Sequence, residues 1–177
     1  MLTKEIDTKE EVMPFDAYLK IETPNITGES TDSKHKGEIE IYSFSLGASN
    51  PTTIGSATGG AGAGKVSLSS FNFMKKTDKV SPVLFQACAS GVHYAKATVT
   101  LRKAGETPVE YLKYTFGTVF VESVQWSGST GGDDAPTESV SFCFGKMEID
   151  YQPQGPDGKP LGGAVHGGWD SVKNVKA

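Results

Sequence analysis

The residues whose types and spacing could support chemistry are few, and each fails a second requirement. Gly59-Gly60-Ala61-Gly62-Ala63-Gly64-Lys65 fits the G-x-x-x-x-G-K core of a phosphate-binding loop. Such a loop needs a hydroxyl residue after the lysine to hold magnesium, then a helix whose N-terminus faces the phosphates. Position 66 is valine, and Val66-Ser67-Leu68-Ser69 alternates apolar and polar residues as a strand does. The segment therefore reads as a loop entering a strand, with no nucleotide site. His35, His93 and His166 lie in separate segments without the spacing of zinc ligands. Cys88 is near His93 in sequence but falls on the apolar face of a predicted helix, where a thiol is inert. No G-x-S-x-G elbow occurs among the serines. Asp133, Asp134 and Glu138 could attract calcium, yet they read more simply as a solvated acidic loop. With no acid–base pair, nucleophile–base pair or metal cluster, the expectation is a non-catalytic protein without cofactor or metal.

Composition narrows the partners. The formal net charge is −4, without a block of like charge, so the basic face that binds nucleic acid is missing. No apolar run is long enough for a membrane-spanning helix. The first residues, MLTKEIDTKEEV, lack the apolar stretch of a secretory signal. The chain is thus expected to fold in the cytoplasm and to be exported, if at all, by a route that reads no such signal. Cys88 and Cys143 do not make a disulfide framework.

The elements that must position any site are mostly strands. A chain of 177 residues with 37% hydrophobic residues, 21 glycines and 9 prolines suits a single turn-rich, mainly β domain. Residues 1–12 read as a hydrophilic extension. Phe15, Ala17, Leu19 and Ile21 alternate along a first strand, and residues 24–37 form a polar loop. Three later runs change phase midway. Ile39 and Ile41 give way to Tyr42, Phe44 and Leu46; Val66 and Leu68 to Phe71 and Phe73; Val140, Phe142 and Phe144 to Met147, Ile149 and Tyr151. An extra residue in a strand flips every later side chain, so these runs predict bulged, bent strands of a small closed barrel. One helix is predicted over 82–90, with Ser81 as N-cap, Pro82 in its first turn and Gly91 at its end. Val83, Leu84, Ala87 and Cys88 make its apolar face. A strand over 94–103, a turn near 104–108 and a long strand over 109–124 follow, then a loop at 128–136. From Pro153 the tail is turn-rich, with Trp169 as an apolar anchor.

Two features remain for a binding role. The glycine-rich segment 47–64 is long for a loop in a compact domain and carries little charge, which suits docking against another subunit. After the phase change in the second strand, Ser43 and Ser45 lie opposite the apolar parity, where small hydroxyls would suit a smooth, wet channel wall.

An ordered series of matches over residues 13–177 resembles the haemolysin-coregulated protein (Hcp) family. It begins with Met13-Pro14-Phe15-Asp16-Ala17-Tyr18-Leu19-Lys20-Ile21, followed by Gly28-Glu29-Ser30 and His35 before Glu38-Ile39. Gly62-Ala63-Gly64-Lys65, Asp78-Lys79-Val80-Ser81-Pro82, Arg102-Lys103-Ala104-Gly105 and Val109-Glu110-Tyr111-Leu112 continue it. Asp150-Tyr151-Gln152-Pro153-Gln154, Gly168-Trp169 and Asn174-Val175 complete it. The resemblance implies a β-barrel of two sheets with one flanking helix, forming hexameric rings. Those rings stack into the inner tube of the type VI secretion machine and are secreted by sheath contraction. Implied partners are other copies of the chain, the spike protein, the contractile sheath and effector proteins in the lumen. On this reading Ser43 and Ser45 face the lumen, while Ser49, Asn50, Thr52, Thr53, Gly59, Gly60 and Gly62 belong to a ring-stacking loop. The chain divides into an extension (1–12), the barrel (13–152) and an associated tail (153–177). The alternative is a monomeric β-barrel carrying a small ligand, which requires an apolar cavity where this sequence places Phe, Tyr, Ile and Val.

Overall fold

The computed structural model describes residues 15–53, 62–103, 108–131 and 135–177. The expected extension 1–12, the turn residues 104–107, Gly59, Gly60, Asp133 and Asp134 lie outside the described residues. In chain order the elements are β1 (Phe15–Glu22), β2 (Ile39–Ile41), β3 (Ser43–Ser45), β4 (Ala48–Ser49), β5 (Thr52–Thr53), β6 (Gly62–Ala63), β7 (Ser67–Leu68) and β8 (Phe71–Lys76). Then come α1 (Ser81–Ser90), β9 (His93–Lys103), β10 (Val109–Ser127), β11 (Thr137–Tyr151), β12 (Val165–Asp170) and β13 (Val175–Lys176). The mainly β expectation with one helix holds.

The barrel closes because strands change partners along their length. β2 pairs with β1, and after Tyr42 the same run continues as β3 and pairs with β8. β8 pairs with the first half of β11, which joins β10, then β9, then β1, returning to β2. All these pairings are antiparallel. The second half of β11 pairs instead with β12, so β12 and β13 form a wing beyond the closed part.

The phase changes seen in the sequence mark these exchanges. On one line across the sheet, Val119 pairs with Phe144 and Tyr94, while Gly117 pairs with Lys146 and Lys96. Between these pairs lie Ala95, Thr118 and Gly145, and inward parity changes on all three strands there. Tyr94 is buried before the line and Ala97 after it; Phe116 before and Val119 after. Thr118 reaches this through a positive φ of 54°, uncommon for a β-branched residue. A second change, a bulge between Val121 and Ser123, lets Val124 face Val140.

The interior is filled with aromatic rings. Phe71, Phe73, Phe116 and Phe142 are each at most 1% exposed, and Phe71 lies 5.0 Å from Phe142 and 5.2 Å from Phe116 between centroids. Such tilted and offset contacts are the favoured aromatic geometry. Leu84 and Ala87 of α1 join the same core.

Several positions depart from expectation. Phe15 and Tyr151, placed inward by alternation, are 46% and 47% exposed because each ends its strand. Tyr42 is 53% exposed, since it sits at the corner where the run leaves β1; the inward parity resumes at Phe44. Val83 of α1 also faces outward. The helix begins at Ser81, with Val80 at the N-cap; Asp78 Oδ1 accepts the Val80 N–H at 2.9 Å. Gly91 ends the helix in the left-handed region, its N–H donating to the Ala87 carbonyl at 3.0 Å.

Residues 24–37 are no free loop. Ile26 bridges to Ile21 and joins the core, Ser30 is buried, and the segment then folds over the outer face of β1 and β9, burying His35. Arg102 Nη2 donates to Asp16 at 2.9 Å, Asp32 at 2.7 Å and Tyr18 Oη at 2.9 Å. This guanidinium and two backbone N–H groups hold the Asp32 carboxyl well below the usual carboxylate range. The His35 ring stacks on Tyr18 at 4.2 Å, with Nδ1 3.0 Å from Glu38 Oε2. Burial, with Asp16 adding to it, pushes the Tyr18 phenol up to about 12. The fastening depends on Gly28, whose N–H donates to the Gly37 carbonyl at 2.7 Å. A Cβ there would lie 2.3 Å from the Glu38 carbonyl oxygen, with no flexible atom to give way. Gly28→Ala is expected to destabilise the fold by about 1–3 kcal/mol, read as a lowered urea midpoint. An unchanged midpoint would show that the segment is not held as described.

Candidate functional site

With the interior packed, recognition falls to the outside of the barrel. The strands β3, β8, β11 and β10 lie side by side, and their registers align two rows of outward residues. One row is Ser43, Met74, Ser139 and Gln125; the next is Ser45, Asn72, Ser141 and Ser123. Neither row contains a charge. Ser123 and Ser141 share a hydrogen bond at 2.7 Å, while Ser43, Ser45, Asn72, Met74, Gln125 and Ser139 are exposed. Beneath them Phe44, Phe73, Val140 and Val124 form the matching apolar row. Strict alternation on a half-buried sheet produces this two-sided pattern. Charges begin only beyond the rows, at Lys76 on one side and at Glu122, which accepts from the Ser70 hydroxyl, on the other.

The segment 47–64 is an arm with its own ladder. Ala48 pairs with Leu68, Ser49 with Ser67, Thr52 with Ala63 and Thr53 with Gly62. The register slips by one between the two pairs of rungs, where the Gly64 N–H donates to the Pro51 carbonyl at 3.0 Å. Of the expected loop residues, Ser49 and Asn50 are exposed; Thr52, Thr53 and Gly62 lie in the ladder. The strand β7 follows Lys65, as the sequence required, so the phosphate-loop pattern lacks its helix. Across an open apolar cleft of about 470 Å³ the arm faces the second half of β11 and the wing, with Val66 and Leu68 opposite Met147, Ile149 and Trp169. Trp169 is thus the apolar anchor of the tail, paired in register with Met147.

At the opposite end of β8 and β11 lies a buried ionic cluster. Lys75 and Glu138 are both 0% exposed and directly paired in register. Lys75 Nζ reaches Asp78 Oδ1 at 2.7 Å, Glu138 Oε2 at 3.2 Å, the Lys76 carbonyl at 2.6 Å and Ser81 Oγ at 3.2 Å. A buried charge is tolerable only with such compensation. The other oxygen of Glu138 accepts from Trp126 Nε1 at 2.8 Å. Trp126 is 50% exposed, and Phe85 of α1 rests 5.7 Å from it.

The residues first considered for chemistry stay apart. His35 is a buried packing residue, His93 lies 5.6 Å from Phe120, and His166 pairs with Asp150 at 2.8 Å. Cys88 and Cys143 are free thiols. The Cys143 thiol is pushed up by burial and by the Glu122 carboxylate, the reverse of an activated nucleophile. Among the described residues no group of three or more His, Cys, Asp or Glu side chains could hold a metal ion. Sequence reasoning put Ser43 and Ser45 opposite the apolar parity, where the structure exposes both, but did not single out their row neighbours Asn72, Ser123, Ser139 and Ser141. Ser139 and Ser141 alternate with Val140 and Phe142, and Asn72 sits between Phe71 and Phe73, so alternation alone could have found most of the face.

Comparisons with known proteins agree with this architecture. Residues 18–151 match the family described as type VI secretion system effector, Hcp. The protein hcp1 of Pseudomonas aeruginosa is 44% identical over 166 residues, covering 93% of this chain and all of that protein. The crystal structure of Hcp1 from Salmonella typhimurium is 38% identical and superposes with a TM-score of 0.77, covering 93% of this chain and all of that one. A type six secretion system protein of known structure, 34% identical, superposes with a TM-score of 0.86 over the same shares. By the family match, the identity and the shared fold, the chain belongs to the Hcp family of type VI secretion systems.

Proposed function

We propose that this chain is a structural subunit of the type VI secretion inner tube. It closes into a hexameric ring, and the rings stack into a hollow tube that sheath contraction drives out of the cell. The observation that carries this reading is the two-row uncharged face on the outside of a solid barrel. A ligand carrier needs an inner cavity, whereas here the phenylalanines fill the interior. A tube wall needs a smooth, hydrated surface that does not trap cargo. Serine hydroxyls and Asn72 offer weak, neutral hydrogen bonds, each of modest net strength in water. The lumen-facing residues are accordingly Ser43 and Ser45, extended by Asn72, Met74, Ser139 and Gln125.

Stacking falls to the arm. Among the described residues its two-stranded ladder pairs with no further strand, and such edges invite other chains. A ring is a closed head-to-tail contact, while stacking is an open one that yields a filament. The remaining partners are the spike protein at the tip, the contractile sheath outside, and effectors carried in the lumen. The subunit folds in the cytoplasm and reaches the exterior or a target cell with the tube.

The two surfaces separate experimentally. Deleting residues 50–62 is expected to leave rings intact by native mass spectrometry while abolishing tubes in negative-stain images; tubes of normal length would remove the arm from stacking. Ser45→Gln is expected to preserve rings but to reduce several-fold the effector protected within them from protease. Unchanged protection would take Ser45 out of the cargo surface.

A further inference from the structure

A contact that repeats along a stack joins two different surfaces of the same chain, one at each end. The arm supplies one of them. β3 runs toward the arm and β8 runs away from it, so the arm lies at the Phe71–Phe142 end of the β8–β11 ladder. The other end of that ladder carries Lys75 paired with Glu138, and Trp126 paired with Glu138 from the other side. There Trp126 and Phe85 are 50% and 55% exposed, with their ring centroids 5.7 Å apart. This apolar cluster stands at the pole opposite the arm.

The two surfaces are chemically matched. From Gly47 to Leu68 the arm contains one charged residue, Lys65, and is otherwise built largely of Gly, Ala, Ser and Thr. Small side chains let a ribbon backbone come close to flat aromatic faces. Trp126 is held from beneath by the Glu138 carboxylate at 2.8 Å, itself fixed by fully buried Lys75. An exposed aromatic side chain already ordered loses little freedom on binding, which is the property of a binding anchor.

We propose that Phe85 and Trp126 form the receiving patch for the arm of a second copy of this chain, in the adjacent ring of the stack. The inference rests on the tube reading above. The patch names what the arm touches.

The test replaces Phe85 with the photo-reactive amino acid p-benzoylphenylalanine in the full chain, irradiates assembled tubes and maps the products by mass spectrometry. The expected products are inter-chain cross-links to peptides within residues 47–68. In parallel, Phe85→Ser is expected to keep hexameric rings and to raise the protein concentration needed for tubes about tenfold, the loss typical of truncating one aromatic anchor. Phe85 is exposed, so this change leaves the core alone. Tubes that form normally with Phe85→Ser, with cross-links only outside 47–68, would overturn the receiving patch and leave the tube reading standing. If the parent chain forms no tubes even on a template, both fall together.

Discussion

A sheet of few strands closes on itself only where strands serve two neighbours in turn, and this exchange of partners governs the rest of the structure. The run 39–45 leaves β1 for β8 at Tyr42, and β11 leaves β8 for β12 beyond Gly145. Each exchange must also change which side chains point inward, because strand parity has a period of two. The line of Ala95, Thr118 and Gly145 performs that change on three strands at once. At Gly145 a Cβ would approach Val172 Cγ2 at 3.1 Å and Thr118 Cβ at 3.6 Å, so a larger residue there would have to displace the exposed Val172 side chain. The closed, aromatic-filled barrel, the flat uncharged face and the wing that backs the arm all follow from this geometry.

Polar groups fix what the hydrophobic core leaves free. The core does not specify where α1 begins or where residues 24–37 lie. Lys75 ties β8, β11 and the start of α1 to one point, and Arg102 clasps the segment 24–37 against β1 through Asp16 and Asp32. Arg102 takes its acceptors from distant parts of the chain, while Lys75 joins the nearby Asp78 and Ser81 to the distant Glu138. Removing one partner of such a pair leaves an uncompensated buried charge, which costs more than the intact pair contributes. The two centres therefore act as positional constraints, and their consequence is at the surface, in an ordered Trp126 and a fastened outer layer.

Much of this was legible in the sequence, and the failures have physical causes. The phase changes at 39–46, 66–73 and 140–151 were visible because the apolar residues are large and regularly spaced. Their meaning as corners between partners was not, since parity is local and pairing is not. Tyr42 was placed inward because a corner residue fits either parity. The arm looked like a loop because Gly, Ala, Ser and Thr carry almost no alternation signal, so its ladder depends on continuing β3 and β8 rather than on burial. The segment 24–37 looked solvated for another reason: Ile26 is its one large buried apolar residue, and the buried Ser30 and His35 are polar and bond locally, to Asp32 and Glu38. Glu138 read as part of a solvated acidic loop, because its buried partner Lys75 is 63 residues away in sequence. The overall resemblance to Hcp proteins compensated for these local ambiguities, because an ordered series of weak matches constrains the whole chain at once.

The central claim is that this barrel exists to associate with copies of itself. Native mass spectrometry of the purified full chain at micromolar concentration tests it most directly. The account predicts a dominant species at six times the 18.8 kDa chain mass, with higher species at multiples of that ring. A monomer across the whole concentration range, with or without a tube template, would contradict it.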